Sequence, residues 1–224
     1  LPDGIEAEEA AENLLRDADT AMYRAKEAGR SRTELFDEHR DRTGSNRLEV
    51  ANALHRAIER KEFRVHYQPV VDAATGATTG YEALLRWQPE GDRLVAPGEF
   101  IGVAEDTGLI VPIGEWVLRQ ACADAARWHA FATAEGRVPP SVSVNLSPRQ
   151  FDAGSLVATV ERALHDTGLP ADALWLEITE SALVADDAMV LLLRELKGIG
   201  VSLAVDDFGT GYSSLAYLRR LPVD

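Results

Sequence analysis

Four oxygen-bearing residues or pairs stand at or near the ends of strand-like runs: Glu82, Asn145, Glu177 and Asp206-Asp207. Strand side chains alternate with period two, so in Tyr81–Trp87 the residues Glu82, Leu84 and Arg86 share a face. Glu177 interrupts an otherwise apolar run, and Asp206-Asp207 follows Val201–Val205 and meets the glycine-rich Phe208-Gly209-Thr210-Gly211. Parallel strands end on one side of a sheet, so these groups can converge there. Four carboxylates and one amide, with no histidine or cysteine among them, suit a hard cation such as Mg²⁺ or Mn²⁺. Buried carboxylates are otherwise costly unless paired. Each residue alone has a plainer reading. A lone Glu near a strand end is more often solvated or salt-bridged, Asn145 before Ser147-Pro148 equally suits a turn or helix cap, and Asp207–Gly211 suits a tight turn. The joint pattern is what points to chemistry.

The elements that must position these groups follow from periodicity. Leu14, Leu15, Ala18, Met22 and Ala25 mark an amphipathic helix stopped at Gly29. The charged stretch Glu38–Ser45 reads as a linker or the start of a joining helix. Leu48–Lys61 reads as a helix with Val50, Leu54 and Ile58 on one face. Phe63–Val71 and Ala77–Trp87 read as a hairpin joined through Thr75-Gly76. Glu115–His129 is a helix whose apolar side is Val117, Leu118, Ala121, Cys122, Ala125 and Trp128. Strands at Val142–Leu146, Ala173–Ile178 and Val201–Val205 then alternate with helices at Leu156–His165, Asp187–Lys197 and Tyr212–Arg220. After the hairpin this alternation implies parallel strands with crossover helices, in either a doubly wound sheet or a (β/α)8 barrel. A barrel takes eight strands in about 250 residues, and only five are visible here.

Composition narrows the partners. The chain has 23 Lys+Arg against 37 Asp+Glu, a formal net charge of −14, without the basic face that a duplex-nucleic-acid binder needs. A small anionic ligand held by a few local cations or metals remains compatible. Hydrophobic residues make up 46% and charged residues 27%, which excludes wholesale disorder. The single cysteine, Cys122, forms no internal disulfide and no zinc cluster, which fits a reducing cytoplasm. No apolar run approaches the roughly 20 residues of a membrane span. The chain opens on Leu1 without a signal-peptide pattern and reads as part of something longer.

Several motifs, in order, carry a family resemblance. Tyr67-Gln68-Pro69-Val70, then Glu82-Ala83-Leu84 with Leu85-Arg86-Trp87, then Asn145-Leu146-Ser147, Leu176-Glu177-Ile178-Thr179-Glu180-Ser181 and Asp206–Leu215 resemble the EAL-domain cyclic-di-GMP phosphodiesterases. Ahead of them, Ala18–Lys26 with Gly29-Arg30 resembles the last helix of a GGDEF (diguanylate cyclase-like) domain. The resemblance implies residues 1–36 as a GGDEF remnant, 37–47 as a linker and 48–224 as the N-terminal portion of an EAL domain. The implied fold is α/β, a (β/α)8 TIM-like barrel of EAL type with about five of its eight strands present.

It further implies metal-dependent hydrolysis of cyclic di-GMP to linear pGpG in bacterial second-messenger signalling. Residues matching Glu82, Asn145, Glu177 and Asp206 ligate one divalent ion, and Asp207 helps hold a second, the ions being Mg²⁺ or Mn²⁺. Asp207 and Glu180 are the implied catalytic residues, Glu180 by holding the Asp207–Leu215 loop. Glu180 has a plainer reading as a helix N-terminal acid. Gln68, Leu84 and Arg86 match substrate contacts. Arg86 suits a phosphate oxygen or, as an alternative, an ion pair with a nearby carboxylate. The implied partner is cyclic di-GMP, with no nucleic-acid polymer and no membrane contact by this segment. The location is cytoplasmic with tethering of the parent left open, and a homodimer accords with the family's habit.

The family supplies a lysine, a glutamate and a glutamine on later strands, beyond Asp224. The 224 residues alone are therefore expected to be inactive and poorly folded or associated. The main rival is a non-enzymatic cyclic-di-GMP receptor or scaffold of the same fold. Such receptors usually lose metal ligands, whereas this chain keeps all five that it could contain. A different metal-dependent barrel enzyme would explain the acidic strand ends but not the Asp206–Leu215 loop.

Overall fold

The computed structural model describes residues 38–89, 94–180, 183, 187–206 and 220–224, giving only the backbone for 38–46 and 187. The expected helix over Leu14–Ala25, the Asp207–Leu215 loop and the expected helix Tyr212–Arg220 lie outside these, apart from Arg220. The chain divides into two units, Leu1–Asn52 and Ala53–Asp224. Of the first, residues 38–52 are described, as helix.

Helix α1 (Glu38–Glu59) begins ten residues before the expected Leu48, so the charged stretch Glu38–Ser45 is helical. It ends because Lys61 adopts φ 55°. That left-handed residue lets Glu62 N–H donate to Ala57 O at 3.0 Å, closing the last turn. Strand β1 (Phe63–Val71) then pairs antiparallel with β2 (Thr78–Trp87) across a turn in which Gly76 has φ 69°. Asp72 organises that turn, its Oδ1 accepting from Thr75 N–H and Oγ1 at 2.8 Å each.

Helix α2 (Pro97–Asp106) falls where the sequence reading placed no element. Its start is nonetheless chemically marked: Pro97 stands at the first helical position, and Glu99 Oε1 accepts the Ala96 N–H at 3.2 Å. Helix α3 (Ile110–Ala134) is 25 residues long and starts five residues earlier than expected. Pro112 does not block it, because a first-turn N–H has no intrahelical partner to lose. Strand β3 (Ser141–Leu146), a short helix α4 (Pro148–Asp152), α5 (Leu156–Thr167), β4 (Leu174–Thr179), α6 (Asp187–Ile199) and β5 (Ser202–Asp206) follow. Gly168 ends α5 with φ 68°, the left-handed cap the sequence calls for.

The five strands form one sheet in the order β1-β2-β3-β4-β5, antiparallel at the first pair and parallel thereafter. A doubly wound sheet reverses strand order at a switch point, and these strands do not reverse. Beyond β5, Asp224 N–H donates to Leu203 O at 2.9 Å. One face of the sheet is core: Val142, Val144, Leu146, Leu174, Leu176, Ile178 and Leu203 are buried. Ile113, Leu118, Ala121, Cys122 and Ala125 of α3, Val160 of α5, and Leu193 and Leu196 of α6 are buried as well. Each fully buried Leu or Ile contributes about 1.5–3 kcal/mol. Trp128, expected on the apolar side of α3, is half-buried and packs edge-to-face on Tyr67 and tilted against Tyr81, with ring centroids 4.7 and 4.9 Å away. Burial pushes the Cys122 thiol up to about 12. The opposite face carries Glu82, Ser143, Asn145, Trp175, Glu177 and Asp206, by the period-two rule.

Candidate active site

The site is built where β2 to β5 present that second face. Gln68 pairs in register with Glu82, and Glu82 with Ser143. One pleat further along, Asn145 stands opposite Glu177, and one further again Thr179 stands opposite Asp206. The ligand-type residues therefore climb the sheet diagonally rather than lying in one row. Asn145 Nδ2 donates to Glu82 Oε1 at 2.8 Å. With its nitrogen engaged, the amide's carbonyl oxygen is the atom with ligand chemistry to offer.

Charge couples the remaining members. Burial pushes the half-buried Glu177 carboxyl above the usual carboxylate range; the nearby Ser143 hydroxyl opposes the rise, and the Glu82 and Asp206 charges add to it. Ser143 Oγ is buried yet closes no hydrogen bond of ordinary geometry. With that hydroxyl left open, burial governs the Glu177 shift. Crowded carboxylates beside an orphaned hydroxyl are a donor set that a divalent cation would satisfy, and their oxygen-only chemistry fits Mg²⁺ or Mn²⁺. Among the described residues, no three His, Cys, Asp or Glu side chains are drawn together closely enough to hold an ion as they stand. Among the described residues the rim is thus an electrostatically coupled row rather than a closed cage.

The other expected residues fall as follows. Leu84 and Arg86 line a cavity of about 480 Å³ beside this row, together with Asn145, Ser147, Thr179 and Glu105. Arg86 Nη1 donates to Leu85 O at 2.8 Å, and no ion pair of Arg86 forms among the described residues. Gln68 is exposed on β1 opposite Glu82. Glu180 is buried, 3% exposed, immediately after β4. Asp207 lies outside the described residues.

Sequence reading missed the far wall of the cavity, where Pro97, Ile101 and Glu105 of α2 meet Ile110, Ile113 and Gly114 of α3. Pro97 with Glu99 before the apolar Phe100, Ile101, Val103 and Ala104 was the available signal for α2. Ser147, and not Asn145, for which a turn or cap role is the plainer reading, is the helix cap after β3. It begins α4, accepting from Arg149 N–H at 3.3 Å, while Gln150 Oε1 accepts from Ser147 N–H at 3.0 Å.

With this geometry established, comparison with known proteins is decisive. The family model described as EAL domain matches residues 51–224. The chain belongs to the EAL domain family. Among curated relatives of this EAL domain, the bifunctional diguanylate cyclase/cyclic di-GMP phosphodiesterase MucR of Pseudomonas aeruginosa is 43% identical over 210 residues, 93% of this chain and 30% of that protein. The cyclic di-GMP phosphodiesterase NbdA of the same organism is 40% identical over 217 residues, 96% of this chain and 27% of that protein. The chain thus spans under a third of the length of these relatives. The solved structure of PaMucR phosphodiesterase in its c-di-GMP complex matches with a TM-score of 0.73 at 45% identity, covering 79% of this chain and 70% of that one. No described helix of this EAL domain is long and apolar enough to cross a membrane.

Proposed function

We propose that the protein carrying this chain hydrolyses one phosphodiester bond of cyclic di-GMP to give linear pGpG. The observation that carries this reading is the Glu82–Asn145–Glu177–Asp206 diagonal, intact in a chain similar to two relatives named as cyclic di-GMP phosphodiesterases. Glu82, Asn145, Glu177 and Asp206 would hold one Mg²⁺ or Mn²⁺, and Asp206 with Asp207 would share a second. When bound, such ions supply a hydroxide-strength nucleophile at neutral pH and offset developing charge.

The chain's own residues do the rest. Glu82 orients the Asn145 amide through the 2.8 Å bond. Arg86 pairs a phosphate oxygen in a charge-assisted contact, with Leu84 and Gln68 beside it. The apolar wall of the cavity, Pro97, Ile101 and Ile110, offers a nucleobase a dry face. Glu180 holds the Asp207–Leu215 loop. On the same reading β1 to β5 are an arc of a (β/α)8 barrel, residues 1–36 end a GGDEF-type domain, and residues 37–47 join the two. The protein works in the cytoplasm, as a homodimer.

The test is chromatography of nucleotides after incubating the intact protein with cyclic di-GMP and Mn²⁺, alongside Asp206→Asn. Asn keeps the shape but removes the charge offered to both ions. The variant should retain less than about a tenth of the wild-type rate, a loss above about 1.4 kcal/mol of transition-state stabilisation. A folded Asp206→Asn with wild-type turnover contradicts the assignment.

A further inference from the structure

Asn145 sits at the end of β3, and what fixes that end is a contact outside the ligand row. Two residues on, Ser147 Oγ donates to Glu105 Oε1 at 2.8 Å, linking β3 to the last turn of α2 across 42 residues of sequence. Ser147 is also the cap of α4, bonded by Gln150, whose buried side chain lies directly over Gly114 of α3. A Cβ at Gly114 would come within 2.5 Å of Gln150 Nε2, so the gap is filled by the glutamine amide. The strand exit is therefore held from two helices. Of these holds, Glu105 is the charge-assisted one, and such bonds are roughly twice as strong as neutral ones.

We propose that Glu105 is a positioning residue for Asn145. By holding Ser147 it sets the height of the β3 exit, and with it the Asn145 amide that Glu82 orients. This rests on the metal reading given above. Residues that orient ligands from behind typically cost 10–100-fold in metal affinity or activity when removed. Glu105→Gln keeps an Oε1 acceptor for the Ser147 hydroxyl, whereas Glu105→Ala does not.

The experiment measures Mn²⁺ binding by electron paramagnetic resonance in the intact protein, for wild type, Glu105→Ala, Glu105→Gln and Ser147→Ala, with melting temperature and pGpG formation followed in parallel. The expected result is Mn²⁺ binding weakened about tenfold or more in Glu105→Ala and recovered in large part in Glu105→Gln. A merely structural role would lower the melting temperature of Glu105→Ala without moving the Mn²⁺ dissociation constant. Should Glu105→Ala not fold, Ser147→Ala breaks the same link from its other end and should show the same weakening. Wild-type Mn²⁺ affinity in folded Glu105→Ala, or in Ser147→Ala, overturns the proposal while leaving the phosphodiesterase reading intact. Weakened Mn²⁺ binding in a protein that forms no pGpG would sustain the positioning role and defeat the substrate reading. A wild type that binds no Mn²⁺ overturns both the positioning role and the metal reading.

Discussion

Asn145 bonds Glu82, its diagonal neighbour on the adjoining strand, and not Glu177, its register partner. The amide is thereby committed to one carboxylate while facing a second. Asn145→Asp replaces the donor with a charge aimed at Glu82 and Glu177, both of them already crowded. Asn145 is exposed, so without metal the variant should be destabilised by only about 0.2–1 kcal/mol, the cost of like charges facing each other across neighbouring strands. Added Mn²⁺ should recover more of that loss than it adds to wild type, since an ion bound only by the folded state stabilises it by mass action. Paired thermal melts with and without Mn²⁺ measure this. Equal metal-free melting temperatures for the two proteins would contradict it.

Gly114 is a packing position rather than a flexible one. Any side chain there meets the Gln150 amide at under 3 Å. Gly114→Ala should displace Gln150 from the Ser147 N–H and cost about 1–3 kcal/mol, the usual range for overpacking. Gly102→Ala is the control, because a Cβ there has nothing within 4 Å. Urea unfolding of both variants checks this, and equal midpoints would contradict it.

The strands were nearly all legible in the sequence because their signal is local. Phe63–Val71 matches to the residue, and β3, β4 and β5 fall within one residue of expectation, since β-branched and apolar runs bounded by Gly and Pro need no tertiary context. Helix α2 went unread because its apolar face is short and its cap is a glutamate reaching back to Ala96 rather than a side-chain N-cap. The acids of the site were legible because each interrupts or ends an apolar strand. Glu105 was not, since one glutamate on an amphipathic helix looks like any solvated one. Its meaning lies in a contact to Ser147 that no spacing encodes.

Asp224 ties the end of the described chain to β5. It accepts from Lys197 Nζ at 2.7 and 2.9 Å and from Leu203 N–H at 2.9 Å. The Lys197 bond, then the Leu203 N–H, hold its carboxyl below the ordinary carboxylate range. A group depressed in the folded state contributes stability above its unfolded value, and that contribution is lost as pH falls through the folded one. Asp224→Asn should therefore lower the melting temperature at neutral pH, with the difference from wild type shrinking as the pH drops below about 4. The effect should be small, as the pair is partly exposed. A difference that grows on acidification would contradict the assignment.

The most direct measurement is the nucleotide product. The intact protein, stripped of metal and given cyclic di-GMP, should form no pGpG until Mg²⁺ or Mn²⁺ is added, and should then form it in proportion to enzyme. Folded protein that binds Mn²⁺ yet leaves cyclic di-GMP uncleaved would contradict the account.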